Sequence, residues 1–426
     1  MKEIKAVEVV EIIEKIKIFK NGEEANAIEV VKFKYDDGED CGYNIIAQKD
    51  LYKVGDKGVY CQPDYCVSDT LLFDSFIRPF GDPKKTKLGR NFRIRAVKFN
   101  FSFENMVDPI YSFGILLPLS EVESYLRKPI SDFPDLADAL GIVKYEEPET
   151  GSSGMIAGDF PSDMYKTDES NWNNSIGPIR RAIEGGEIFG VSIKRDGSSI
   201  TLKFNKDDDW KHRIFSRNQE KSIEQSYTSL YVDSFGFEFH KYIDPTTKQK
   251  GWINDESGTF LTNEWCEENL TPVKVDVRDS WVDVATNNGY VEKLLNYCKK
   301  YDVELVFRGE LIGQGLKGSG NKLNPDSGIK QTIILFGVDN IETGFSVRNH
   351  YGNEHNLEKI CKEVDLPYTE SQWIKPNSIE ELEDFCKKII KNEENNGRMI
   401  EGVVVRTKYS NKISVKYLSP KYDEKK

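Results

Sequence analysis

Short apolar runs closed by turn residues constrain this chain more than anything else in it. Ala27 to Tyr35 alternates apolar and polar residues, Asp36-Asp37-Gly38 turns the chain, and Cys41 to Ala47 resumes the alternation. A period of two puts every second side chain on one face, so runs of this length read as strands. Gly58 to Gln62, Asn91 to Asn100 and Ser112 to Leu119 carry the same signal. Helices are expected at Leu119 to Leu126 and near Leu136 to Leu140. The stretch Glu146-Glu147-Pro148-Glu149-Thr150-Gly151-Ser152-Ser153-Gly154 is charged, Pro-bearing and rich in Gly and Ser, as linkers are. It divides the chain into residues 1–145, a linker over 146–158 and a second domain over 159–426.

A handful of short strands in the first part suits a small β-barrel, and an OB-like barrel is the nucleic-acid-binding form of that size. Beyond the linker, strands are expected at Glu187 to Lys194, Ser198 to Phe204, Arg213 to Ser216, Val303 to Ile312, Thr332 to Val338, Gly402 to Arg406 and Ile413 to Tyr417. Two amphipathic helices interrupt them. Val291, Leu294, Leu295 and Cys298 share one helical face, as do Leu382, Phe385, Cys386, Ile389 and Ile390. Ser378 followed by Glu381 is a capping box that starts the second. The fold class is therefore α+β, with largely antiparallel sheets and flanking helices.

With 426 residues, ordinary cores are available without covalent staples. The seven cysteines are odd in number and scattered, which argues for reduced thiols in an intracellular, soluble protein. No basic leader with an apolar run opens the chain, and no apolar stretch is long enough for a membrane span, so no membrane association is expected. A net charge of -12 excludes a protein that coats nucleic acid indiscriminately, since counterion release rewards clustered cations. One strip departs from that balance. Pro83 to Phe103 holds seven basic residues (Lys84, Lys85, Lys87, Arg90, Arg93, Arg95, Lys98), no acid, and the phenylalanines Phe92, Phe99, Phe101 and Phe103. Interleaved cations and aromatics suit a polynucleotide gripped at one place.

The sharpest local feature is Val191-Ser192-Ile193-Lys194-Arg195-Asp196-Gly197-Ser198-Ser199, a lysine at the end of an apolar strand and before a turn. A strand-to-turn junction holds a lysine rigidly, and a lysine in a desolvated site can act as a nucleophile. In order after it come Phe215-Ser216-Arg217-Asn218, Phe307-Arg308-Gly309-Glu310-Leu311-Ile312-Gly313, Leu335-Phe336-Gly337, Glu401-Gly402-Val403-Val404-Val405-Arg406 and Lys412-Ile413-Ser414-Val415-Lys416. Taken singly, each reads as well as a core strand, a solvated strand end or a protected sheet edge.

Together and in this order they resemble the covalent nucleotidyltransferases, the superfamily of polynucleotide ligases and capping enzymes. The resemblance implies an adenylation domain, ATP-grasp-like in outline, with Lys194 attacking the α-phosphorus of ATP. It implies an Arg of motif Ia at Arg217, a ribose-contacting Glu at Glu310, a base-stacking aromatic at Phe336 and a metal-associated Glu at Glu401. Ile193, Asp196 and Gly197 belong to the nucleophile motif. Motif V usually supplies two lysines two residues apart, but Ser414 stands at the first place, leaving Lys416, with Lys412 as the other candidate. Phe160-Pro161 with Lys166-Thr167-Asp168-Glu169, and Gly309-Glu310-Leu311-Ile312-Gly313-Gln314-Gly315, are similar to strings of the fifth RNA ligase family, which places an OB domain in front.

That family implies an ATP-dependent RNA ligase using Mg²⁺ or Mn²⁺, with Asp196, Glu310 and Glu401 near the metal through water. It joins RNA 5′-phosphate and 3′-hydroxyl ends, with a nicked duplex among the candidate substrates, and a monomer is expected. Lys416 is expected to depress the pKa of Lys194. The barrel is expected to position RNA through Lys84, Lys85, Lys87, Arg90, Arg93 and Arg95, while the second domain performs the nucleotide chemistry. A DNA ligase or a GTP-using capping-type enzyme on the same scaffold remains an alternative. So, more remotely, does a non-catalytic OB-type nucleic-acid-binding protein.

Overall fold

The computed structural model describes residues 5–36, 38–39, 41–99, 102–103, 110–145, 155–162, 164, 166, 169–224, 226–316, 324–340, 355–409 and 413–423. Lys412, Thr167, Asp168, Phe101 and linker positions 146–154 lie outside them.

The chain is a mixed α+β protein. Its first part is a five-stranded antiparallel sheet of β1 (Val7–Ile16), β2 (Ile28–Tyr35), β3 (Ile45–Gln48), β4 (Lys57–Cys61) and β5 (Ile115–Pro118), in the order β5-β4-β1-β2-β3. The sheet curls until its edges nearly meet. Phe113 donates its N–H to the Asn44 carbonyl at 3.0 Å, and Ile46 donates its own to Ser112 Oγ at 2.9 Å. Inside lie Ile12, Val31, Phe33, Tyr43 and Tyr60, while α1 (Leu119–Leu126) packs through Val122 on the outer face of β4 and β5.

Two expected strands are broken. Asn91 to Asn100 is not one strand, because Asn91 and Phe92 take positive φ (55° and 57°) and turn the chain before Arg93. Ile94 then bonds back to Tyr65, and among the described residues only Val97–Phe99 forms a strand. Ser112 to Leu119 is split at Gly114, where φ is +91° and a Cβ would lie 2.4 Å from the Tyr60 ring. Close approach to that ring demands glycine.

Two further sheets face each other in the second part. Its elements are β6 (Ile156–Asp159), β7 (Ser170–Asn171), α2 (Ile176–Glu184), β8 (Phe189–Lys194), β9 (Ser198–Asn205), β10 (Lys211–Phe215) and β11 (Gln219–Lys221). An added sheet follows, of β12 (Ser226–Val232), β13 (Glu238–Ile243), β14 (Lys250–Ile253), β15 (Phe260–Leu261), α3 (Asn263–Asn269) and β16 (Thr271–Asp276). Then come α4 (Ser280–Asn287), α5 (Tyr290–Tyr301), β17 (Leu305–Ile312), β18 (Thr332–Asn340), α6 (Leu357–Val364), β19 (Gln372–Ile374), α7 (Ile379–Asn395), β20 (Gly402–Thr407), β21 (Ser414–Leu418) and α8 (Pro420–Asp423).

One sheet has the order β6-β11-β10-β9-β17-β18, the other β7-β21-β20-β8-β19. Each is apolar on its outer face. Ile200, Leu202, Phe307 and Leu335 pack under α4, α5 and α6, while Val191, Val403 and Val405 pack under α2 and α7. The capping box is half made: Glu381 N–H donates to Ser378 Oγ, but the Glu381 carboxylate accepts from Asn377 N–H rather than from Ser378. No helix among the described residues is long and apolar enough to cross a membrane. Nothing in the mixed polarity of residues 226–276 announces their five-stranded sheet, whose small core is Tyr231, Phe239, Trp252 and Cys266.

In the sheet β7-β21-β20-β8-β19, Gly402 packs more tightly than Gly190, since a Cβ there would lie 2.2 Å from the Tyr417 carbonyl oxygen. Gly402→Ala is expected to lower unfolding free energy by roughly 3 kcal/mol, as overpacking against backbone does. Urea unfolding would check it, and a loss within about 0.5 kcal/mol would contradict the close approach.

Candidate functional site

Alternation puts polar residues of both sheets on their inner faces. Ser199, Thr201 and Arg308 point inward from one, Ser192, Val404 and Arg406 from the other, and the space between is a cleft of about 500 Å³. Lys194 ends β8 opposite Gly402, so it stands beside Glu401 at the place where the chain crosses from one sheet to the other. Its Nζ donates to Glu401 Oε2 at 2.5 Å. The crossing needs Gly197. A Cβ there would meet the Leu311 carbonyl at 2.5 Å, and the Gly197 N–H donates to Glu310 Oε1 at 3.1 Å.

Burial pushes the Lys194 ammonium down, but Glu401, Glu310 and Asp196 together push harder the other way, so its pKa lies above the ordinary 10.5. This corrects the expectation of a depressed pKa. Lys416 Nζ is turned toward Asp64, 4.0 Å from its Oδ2, and three acids act on one ammonium. That surplus of negative charge suits a divalent cation that keeps most of its waters. No three His, Cys, Asp or Glu among the described residues gather closely enough to hold a metal directly. Glu310 and Glu401 line the cleft and fit the water-mediated role. Asp196 does not: it is 6% exposed, lies off the cleft lining, and accepts a hydrogen bond from the Tyr422 hydroxyl.

Lys166, Ile193, Lys194, Gly197, Arg217, Glu310, Phe336, Glu401 and Lys416 all line this cleft. Lys166 Nζ donates to Asn218 Oδ1 at 2.6 Å, which brings it beside Arg217. Phe336 is half-buried and belongs to neither core, so its ring serves the inner face. Arg406 had no sequence-assigned role. Its register partner is Ser414, its Nη2 donates to Glu169 Oε1 at 2.7 Å, and its guanidinium lies 5.8 Å from the Phe336 ring centroid. The alternation in Val403-Val404-Val405-Arg406, with 403 and 405 in the core, is the signal that points Arg406 inward.

The whole chain can be compared with solved structures. A Naegleria gruberi RNA ligase variant with ATP and manganese superposes with a TM-score of 0.65 at 20% identity, covering 99% of both chains. Along its full length this chain shares that fold. The same ligase with pyrophosphate gives 0.63 at 21% identity, and a variant with AMP and manganese gives 0.64 at 20%, each covering 99% of both chains. No family model matches the chain, and no curated protein matches its sequence.

The first part of the chain walls the same cleft. Asp64, Tyr65, Arg93 and Tyr145 line it. Arg93 donates to Asp64 Oδ1 from Nη2 at 2.5 Å and from Nε at 3.1 Å, and its guanidinium packs 4.7 Å from the Tyr145 ring centroid. Both parts of the chain thus contribute side chains to one cleft. Lys84, Lys85, Lys87, Arg90 and Arg95 are exposed and lie off the cleft; among the described residues of the strip only Arg93 reaches it.

Glu401→Gln removes a partner that raises the Lys194 pKa, so the pKa should fall and the neutral amine should be more abundant. Acylation of Lys194 by a small reagent at pH 8, followed by peptide mapping, should be faster in the variant. Linkage has the matching sign: the pair stabilises the fold fully below about pH 10.5 and loses that contribution as pH rises through the higher folded value. Equal acylation rates would remove Glu401 as the controlling group.

Proposed function

We propose that this protein is an ATP-dependent RNA ligase that forms a lysyl-AMP at Lys194. The observation that carries the reading is Lys194 at the sheet crossing, paired with Glu401 in a cleft that also holds Glu310, Phe336 and Lys416. The full-length likeness of fold to an RNA ligase supports it. On this reading residues 1–145 are an OB-like domain, 146–158 a linker and 159–426 the nucleotidyltransferase domain.

Phe336 stacks on adenine, Glu310 contacts the ribose, and Lys166, Arg217 and Lys416 hold phosphates. Lys194, once deprotonated, attacks the α-phosphorus: a P–N bond forms, the bond to the β-phosphate oxygen breaks, and pyrophosphate leaves. An RNA 5′-phosphate oxygen then displaces the lysine, and an RNA 3′-hydroxyl displaces AMP as the phosphodiester forms. Glu310 and Glu401 would hold Mg²⁺ or Mn²⁺, which when bound would supply charge to offset the carboxylates and the phosphoryl oxygens. Asp64 and Arg93 bring the barrel to the nucleotide as well as to RNA.

Incubation with α-labelled ATP and Mn²⁺, then a denaturing gel and peptide map, should place label on Lys194 and none on Lys194→Ala. GTP should label neither. Label on another lysine, or none in the wild type, would overturn the reading.

The exposed basic strip should set the salt dependence of RNA binding. Replacing Lys84, Lys85, Lys87 and Arg90 by Ser is expected to flatten the slope of log affinity against log salt by roughly 0.7 to 0.9 for each phosphate that is no longer neutralised. An unchanged slope would move the RNA path elsewhere on the surface.

A further inference from the structure

The last described residues touch the site from behind. β21 pairs with β20 so that Leu418 stands opposite Gly402, and Ser419 N–H then donates to the Glu401 carbonyl at 2.9 Å. Tyr422 N–H donates to the Ser419 carbonyl at 3.1 Å, which turns the chain back. Tyr422 is 1% exposed, and its hydroxyl donates to Asp196 Oδ2. One short turn is thus bonded to the main chain of Glu401 at one end and to the side chain of Asp196 at the other. These two acids flank Lys194, Glu401 from just before the neighbouring strand β20 and Asp196 from the crossing two residues on. Asn324 Nδ2 adds a long contact to the Asp196 carbonyl at 3.5 Å.

We infer that Asp196 and Tyr422 form a positioning unit, through which the turn at residues 418–423 holds the sheet crossing and sets Lys194 against Glu401. Asp196 on this account anchors the crossing and is not a metal-associated acid. A buried carboxylate costs free energy unless its oxygens are hydrogen-bonded, and the Tyr422 hydroxyl meets that need where no solvent reaches. Alignment is the purpose it serves. In-line attack at phosphorus is sensitive to small displacements of the nucleophile, and Asp196 is two residues from Lys194. The inference rests on the lysyl-AMP reading for the chemistry being aligned, though the contact itself stands apart from it.

A double-mutant cycle tests it. Tyr422→Phe keeps the ring and Asp196→Asn keeps the shape, so both should fold. With α-labelled ATP and Mn²⁺, each single variant is expected to slow labelling of Lys194 at saturating ATP by about tenfold, and the double variant no further, since the two act as one unit. The ATP and Mn²⁺ concentrations for half-maximal rate should stay within about twofold of wild type, which removal of a metal-holding group would not allow. An additive double variant, an unaffected Tyr422→Phe, or a raised Mn²⁺ requirement confined to Asp196→Asn would each overturn the proposal. If the wild type takes no label, the ligase reading fails by itself. Thermal unfolding of the same four proteins then decides the contact, non-additive losses supporting it and additive ones overturning it.

Discussion

The bond from Lys194 to Glu401 is the interaction on which the rest of the site depends. It joins the end of β8 to the residue just before the neighbouring strand β20, and it holds the ammonium charged. Three acids act on that lysine, and burial alone would favour its neutral form. The carboxylates outweigh burial, so the amine becomes free to lose its proton only where their charge is offset.

Two sheets with apolar outer faces make such a cleft almost by default. Each buries one set of alternate side chains under helices, leaving the other set to face its counterpart. The chain passes between the sheets at Arg195-Asp196-Gly197, and the close packing of Gly197 on β17 brings Lys194 and Glu310 into one small volume. The barrel then closes the remaining side through Asp64 and Arg93, with Asp64 also near Lys416.

Much of this was legible in order along the chain. The strands carrying Lys194, Glu310, Phe336 and Lys416, and the strand that Glu401 directly precedes, lie where alternation and apolar runs predict, and all five residues meet in the cleft. Legibility failed where contacts between distant segments override local pattern. Asn91 to Asn100 alternates like a strand, yet two residues with positive φ turn it so that Ile94 can bond Tyr65. The sheet of residues 226–276 was missed because its own core is small and nearly all of its strand positions are exposed or only partly buried, so no clean period marks it. Asp196 shares the nucleophile's motif but not its cleft, because a tyrosine 226 positions later takes its carboxylate.

The α+β class, the strands that bear or adjoin the cleft-lining residues, and the order of those residues could be read from the sequence, since each depends on period and turn chemistry within a few residues. Which acids face the lysine, which way its pKa moves, that Arg406 reaches the ring of Phe336, and that the barrel shares the cleft came from the folded structure alone. Charge interactions depend on distance in space, and burial depends on what covers a residue from elsewhere in the chain. Neither quantity is written in local pattern.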